Sequence, residues 1–151
     1  MTDWSKKDLL ILAFDHRTSF IEKLFGIKNR TPTPTEKLEI EDFKKIIFEG
    51  FKLALEEKVP KEIAGLLVDE ECGSEILREA KKKGYMFAMP AEKSGQEEFD
   101  FEYGDEFSSH IEEFDPTFLK VLVRYNPESD ETLNKRQLQR LKILSDYLLK
   151  A

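Results

Sequence analysis

The chain has 151 residues, 31 of them acidic and 24 Lys or Arg, for a net charge of −7. Its 40% hydrophobic and 36% charged residues describe one globular domain over 1–151 rather than a disordered chain. The acidic balance argues against nucleic acid as a partner, because a phosphate backbone calls for a basic surface. It leaves room for a small phosphorylated ligand, which needs only a few local cations.

No apolar stretch approaches the roughly 18 residues of a membrane span. The opening Met1-Thr2-Asp3-Trp4-Ser5-Lys6-Lys7 lacks a secretory apolar region. The single Cys72 rules out an internal disulfide and suits a reducing compartment. A cytoplasmic protein with no membrane partner is expected.

In chain order, LLILAF at 9–14 reads as a first strand and runs straight into Asp15-His16-Arg17. A short helix is predicted at 19–25. The proline- and threonine-rich segment 28–35 reads as a loop. A long amphipathic helix follows at 36–58, with Phe43, Ile46, Ile47, Phe51, Ala54 and Leu55 as its apolar positions and Pro60 as its stop. The second strand, 64–68, contains no polar residue, as expected of a strand covered on both faces. It leads into Asp69-Glu70-Glu71. Gly73-Ser74 opens a helix at 75–83, which Gly84 closes.

The third strand, 86–89, is followed by Pro90-Ala91-Glu92-Lys93. The acidic stretch 96–113 is interleaved with Phe99, Phe101, Tyr103 and Phe107, which read as packing beneath a loop. A short helix is expected at 105–113. The fourth strand, 118–123, carries Lys120 and leads to Arg124-Tyr125-Asn126. The last helix is predicted at 133–149, with a stripe of Leu138, Leu141, Ile143, Leu144, Tyr147 and Leu148.

Four apolar strands that each deliver ionisable groups at their C-terminal ends fit a parallel α/β protein with a site at that end. The expected fold is therefore α/β, built of parallel (β/α) units of a TIM barrel. Four such units make half of an eight-fold barrel, which takes about 250 residues. A half barrel leaves two apolar edges open. Pairing with another copy or another half, or a truncated gene product, would account for this. A flavodoxin-like open sheet is the alternative at this length.

Lys120 is the sharpest chemical candidate. Strand alternation puts Lys120, Leu122 and Arg124 on one face. A lysine between apolar neighbours is costly to bury unless paired, and such lysines serve as nucleophiles, acids or bases. The plainer reading is an ammonium neutralised by Glu92 or Asp69. Asp69-Glu70-Glu71 could attract Mg²⁺, but a structural or substrate-orienting role is favoured and no metal site is assigned. Nothing marks Cys72 as reactive, and His110 reads as a surface histidine.

Taken together the motifs resemble a known family. They are Ala13-Phe14-Asp15-His16-Arg17, then Leu67-Val68-Asp69-Glu70-Glu71-Cys72-Gly73, then Ala91-Glu92-Lys93-Ser94-Gly95. The longest follows, Phe118-Leu119-Lys120-Val121-Leu122-Val123-Arg124-Tyr125-Asn126-Pro127, with Asp130-Glu131-Thr132-Leu133-Asn134 after it. The chain resembles the N-terminal half of the class I, Schiff-base aldolases related to tagatose-1,6-bisphosphate aldolase. Within that group it is most similar to the uncharacterised DUF2090-type domain associated with 5-dehydro-2-deoxygluconokinase of inositol catabolism.

The resemblance implies a TIM barrel and reversible aldol cleavage of a phosphorylated keto sugar or sugar acid. An example is 2-deoxy-5-keto-gluconate 6-phosphate, giving dihydroxyacetone phosphate and an aldehyde. It implies no cofactor and no metal, because a protonated imine is the electron sink. Lys120 and Asp15 match catalytic positions. His16, Arg17, Asp69, Glu70, Glu92, Lys93 and Arg124 match or flank substrate-binding ones. The family's imine-forming lysine lies on a sixth strand that these motifs do not include.

Two functions follow as alternatives. One is an aldolase completed by a second half-barrel chain. The other is a non-catalytic half barrel that binds or homodimerises. A response-regulator-like open sheet is a weaker third reading, because Lys120 lies inside the fourth strand rather than after a fifth.

Overall fold

A computed structural model describes residues 4–150. Among them the regular elements are β1 (Leu10–Ala13), α1 (Thr18–Leu24), α2 (Pro34–Glu57), β2 (Ala64–Leu67), α3 (Ser74–Lys83), β3 (Met86–Pro90), α4 (Phe107–Phe114), β4 (Phe118–Lys120) and α5 (Glu131–Leu148). The strands form one sheet in the order β1-β2-β3-β4. β1 and β2 run parallel, with Leu10 opposite Ala64 and Ala13 opposite Leu67. β2 and β3 are also parallel, with Gly65 opposite Met86 and Leu67 opposite Ala88. The Thr117 N–H donates to the Phe87 carbonyl at 3.0 Å and carries the sheet on to β4.

The chain divides into two compact units. One holds residues 4–90 with 114–119, and the other holds residues 91–113 with 120–150. In the first unit β2 and β3 are the inner strands. All of β3 is buried, and so are the first three residues of β2. Leu66, Val68, Phe87 and Met89 pack there with Phe48 and Phe51 of α2, Ile76, Leu77 and Ala80 of α3, and Phe114. Each large side chain removed from water in this core contributes about 1.5–3 kcal/mol. The third helix closes as the sequence predicts, with Gly84 left-handed at φ 63°. β1 differs from its neighbours: all four of its residues are exposed although all are apolar.

The face that α2 buries is not the one its apolar spacing predicts. Ile40, Lys44, Phe48 and Phe51 are buried, whereas Phe43 is 51% and Ile46 67% exposed. The helix has turned so that Lys44 points inward, where it meets the Asp69 carboxylate. α2 also starts earlier than expected, inside the segment read as a loop. Thr33 caps it, accepting from the Glu36 N–H while the Glu36 carboxylate accepts from the Thr33 N–H, and Pro34 fills the first helical position. The signature Thr33-x-x-Glu36 is legible as a capping box.

In the second unit the aromatic residues of the acidic stretch do pack together. The Phe99 and Phe101 rings meet edge to face at 5.1 Å, and Phe101 stacks on Phe107 at 4.3 Å. Tyr103 stacks on His110 at 3.7 Å. His110 is thus half-buried rather than a free surface residue, and burial lowers its pKa. β4 ends at Lys120, short of the expected 123, so Leu122 and Arg124 do not continue a strand. β4 is the outer strand, and its one neighbour, β3, ends at Pro90, so the residues after Lys120 have no strand to pair with. The stripe predicted for α5 is also displaced: Asn134, Gln137 and Leu144 are buried, while Leu138, Ile143 and Leu148 are exposed.

Glu36 supports a test of the α2 cap. The Arg30 guanidinium grips its carboxylate through two hydrogen bonds of 2.7 and 2.6 Å. These bonds, with the Thr33 N–H, hold its pKa down to about 2. A depressed carboxylate pKa stabilises the fold above the ordinary carboxylate range, and that contribution is lost as pH falls through the folded value. In an NMR titration the Glu36 carboxyl should keep its charge to near pH 2, and Arg30→Ala should move its midpoint up toward the ordinary range. A midpoint unchanged by Arg30→Ala would refute the grip.

Candidate functional site

Two lysine–carboxylate pairs organise the residues that the sequence singles out, one in each compact unit. In the first unit, Lys44 of α2 and Asp69 after β2 are each only 1% exposed. The Lys44 ammonium donates to the Asp69 Oδ2, to the Phe14 carbonyl at 3.1 Å and to the His16 carbonyl at 3.2 Å. The three protons of an ammonium therefore all find acceptors. The other Asp69 oxygen, Oδ1, accepts from the Cys72 N–H at 3.0 Å.

This pair ties together the turns that follow β1 and β2. Gly73 makes the second turn possible. A Cβ there would stand 2.4 Å from Val68 Cγ1 and 2.5 Å from the Asp69 carbonyl oxygen. Of the predicted binding residues in this unit, Asp69 is sealed inside, Asp15, Arg17 and Glu70 are half-buried, and His16 is exposed. The Cys72 thiol is buried, and burial with the nearby Asp69 charge pushes its pKa up to about 12. It is not a nucleophile at neutral pH.

In the second unit, Lys120 at the end of β4 donates to the Glu92 Oε1 at 2.6 Å. The Glu92 side chain is 7% exposed and that of Lys120 34%. Glu92 is held in place by its backbone neighbours. The Ala91 N–H donates to the Lys120 carbonyl at 2.9 Å, and Glu92 pairs with Phe101 in an antiparallel bridge. Lys93 and Arg124 are exposed. Of the two partners the sequence offered for Lys120, Glu92 is the one it takes.

The second unit is further secured by Gln137, which is fully buried. Its Oε1 accepts from the Phe99 N–H at 2.9 Å and the Arg124 N–H at 3.2 Å. Its Nε2 donates to the Arg124 carbonyl at 2.9 Å. Glu98 meets Arg136 at 2.9 Å and Arg140 at 3.0 Å. Sequence reasoning missed both Lys44 and Gln137. A charged or polar residue at i, i+4 spacing with apolar residues on a helix was the available signal, as at Ile40, Lys44 and Phe48.

None of the described helices is long and apolar enough to cross a membrane. The family comparison matches residues 2–149 to a family described as uncharacterized protein conserved in bacteria, DUF2090. The chain belongs to the DUF2090 family. No curated protein and no solved structure matches it. Membership of DUF2090 fixes a family without assigning a reaction.

The pairs differ in what they can do. Lys44–Asp69 is closed to solvent, and its polar atoms are used in holding the turns. Lys120–Glu92 combines a buried carboxylate with a lysine side chain that is 34% exposed, against 1% for Lys44.

Two stability measurements separate these roles. Lys44→Met leaves the Asp69 charge buried without its cation and should cost about 3–5 kcal/mol in urea unfolding. Adding Asp69→Asn, which keeps the acceptor for the Cys72 N–H, should recover a substantial part of that loss. Gln137→Leu strands three backbone groups and should cost about 2–4 kcal/mol. A loss under about 1 kcal/mol in either single variant would refute the structural role given to that residue.

Proposed function

We propose that this chain supplies half of the active site of a class I aldolase-type barrel. Its substrate would be a phosphorylated keto sugar or sugar acid such as 2-deoxy-5-keto-gluconate 6-phosphate, cleaved to dihydroxyacetone phosphate and an aldehyde. The observation that carries the reading is the Lys120–Glu92 pair, a partly exposed lysine side chain held by a buried carboxylate 2.6 Å away at the end of β4.

The sheet order supports a half barrel. Successive βα units of a barrel lay their strands side by side in chain order, as β1-β2-β3-β4 do. A flavodoxin-like sheet would reverse direction after its first strands, in the order 2-1-3-4-5.

The chemistry follows from what a fixed ammonium can do. Aldol cleavage breaks a carbon–carbon bond and leaves its electron pair on the fragment that becomes dihydroxyacetone phosphate. In the aldolases this chain resembles, an imine on a lysine accepts that pair, so no metal or other cofactor is required. That lysine lies on a sixth strand, supplied on this reading by a second half barrel. A neighbouring cation lowers the pKa of an amine and keeps it nucleophilic, and this is the role assigned to Lys120. Glu92 holds the Lys120 ammonium in place. Asp15 is assigned proton transfer at the substrate hydroxyl. Lys93 and Arg124 are the cations assigned to phosphate, and Arg17, His16 and Glu70 are the further expected binding residues, whereas Asp69 is sealed against Lys44 and takes no part. A sugar phosphate substrate and an imine mechanism both fit a cytoplasmic enzyme of carbohydrate breakdown.

The test is binding of dihydroxyacetone phosphate and of 2-deoxy-5-keto-gluconate 6-phosphate, followed by ligand-detected NMR. Saturable binding is expected, weakened at least about tenfold by Lys120→Met, which corresponds to roughly 1.4 kcal/mol. Lys120→Met leaves the Glu92 charge buried without its cation and should itself cost stability, so the binding comparison is repeated with Lys120→Met/Glu92→Gln, which removes that charge and should stay folded. Absence of saturable binding to the unaltered protein, or full binding by Lys120→Met, would overturn the reading.

A further inference from the structure

We propose that Gln137 of α5 is the positioning residue for Arg124, setting where that guanidinium stands to receive a phosphate. The inference rests on the reading of Arg124 as a phosphate ligand, and it adds the residue that aims it.

After β4 the chain has no strand to lie against. The Ala91 N–H donates to the Lys120 carbonyl at 2.9 Å, and β3 ends at Pro90. At Arg124 the backbone is held again, by a side chain in place of a strand. Gln137 Oε1 accepts from the Arg124 N–H at 3.2 Å, and Gln137 Nε2 donates to the Arg124 carbonyl at 2.9 Å. One carboxamide thus offers Arg124 the acceptor and the donor that a neighbouring strand would offer it. With both backbone groups of a residue turned to the same partner, the direction of its Cα–Cβ bond is set, and the side chain leaves across the plane of those bonds.

Gln137 is itself fixed. It is fully buried, and its Oε1 also accepts from the Phe99 N–H at 2.9 Å. The Phe99 ring packs on Phe101, which stacks on Phe107. Close by on α5, Asn134 is 6% exposed, and its Nδ2 donates to the Asn126 carbonyl at 2.6 Å. Two buried amides, at i and i+3 on one helix face, therefore grip both ends of Arg124-Tyr125-Asn126. Packing alone does not call for an amide at either position, because burying one costs free energy until its groups find partners. What the amides add is a fixed loop backbone, the support that a site needs behind the residues touching its ligand.

Arg124 is free to use that support. It is exposed. Two other arginines of this unit are committed: Arg136 meets Glu98 at 2.9 Å, and Arg140 meets Glu98 at 3.0 Å and Asp100 at 3.3 Å. Among the described residues, Arg124 has no carboxylate partner. In a chain of net charge −7, an arginine kept clear of carboxylates is open to an anion from outside. Its guanidinium fork matches two phosphate oxygens at once, and a fixed root confines that match to one place.

The probe is inorganic phosphate, followed at the Arg124 Nε–Hε signal by NMR. Phosphate should shift that signal saturably. Arg124→Tyr/Tyr125→Arg exchanges two exposed neighbours, keeps composition and charge, and leaves Gln137 untouched. It should weaken phosphate binding at least about fivefold, as far as Arg124→Met does. Gln137→Met should weaken binding by a similar factor, and it should have no further effect in an Arg124→Met background. A role in stability alone would not produce that dependence. Where Gln137→Met does not fold, the exchange decides the matter, because it moves the arginine off the residue that Gln137 holds. An Arg124 signal that phosphate leaves unmoved, an exchanged arginine that binds as tightly as the original, or equal losses from Gln137→Met with and without Arg124 would overturn the proposal. If sugar phosphates fail to bind while inorganic phosphate still reaches Arg124 in this way, the aldolase reading falls and this one stands.

Discussion

A lysine ammonium taken out of water must find an opposite charge and three acceptors, or its burial is prohibitively costly. Lys44 meets this demand with the Asp69 carboxylate and two carbonyls from the turn after β1. That requirement sets the rotation of α2. It brings Ile40, Phe48 and Phe51 inward on the same face and turns Phe43 and Ile46 out to solvent. The turns after β1 and β2, which carry Asp15, Arg17, Asp69, Glu70 and Glu71, are thereby fixed from behind.

The two lysine–carboxylate pairs show how burial alone separates scaffold from site. Lys44–Asp69 is sealed and has no polar capacity left for a ligand. Lys120–Glu92 has a buried carboxylate and a lysine side chain that is partly exposed. A fixed cation that solvent reaches is a reagent, whereas a fixed cation that solvent cannot reach is a fastener. Gln137 plays the fastener's part in the second unit, with an amide in place of a charge.

Much of this was legible in the residues. The four strands and the alternation of strand and helix follow from apolar runs bounded by turn residues, and Gly84 marks the end of α3. The placement of charged groups after each strand is written directly in Asp15, Asp69, Glu92 and Lys120. The Lys120–Glu92 pair was one of two partnerships that strand order allows. Less legible were the faces of α2 and α5. Periodicity counts apolar residues, and here Lys44 and Gln137 are the ones buried. The start of α2 was masked by Pro32 and Pro34, although Thr33 and Glu36 spell a capping box.

By itself the sequence determined the element types, the parallel α/β class and the family, because these depend on local periodicity, turn chemistry and motif order. Only the tertiary structure decided which carboxylate each lysine takes. It alone also decided that β1 stands exposed while the equally apolar β2 and β3 are buried. Both outcomes are set by what lies across from a residue in space. A strand's composition states that it seeks burial, and its position in the sheet determines whether the chain provides it.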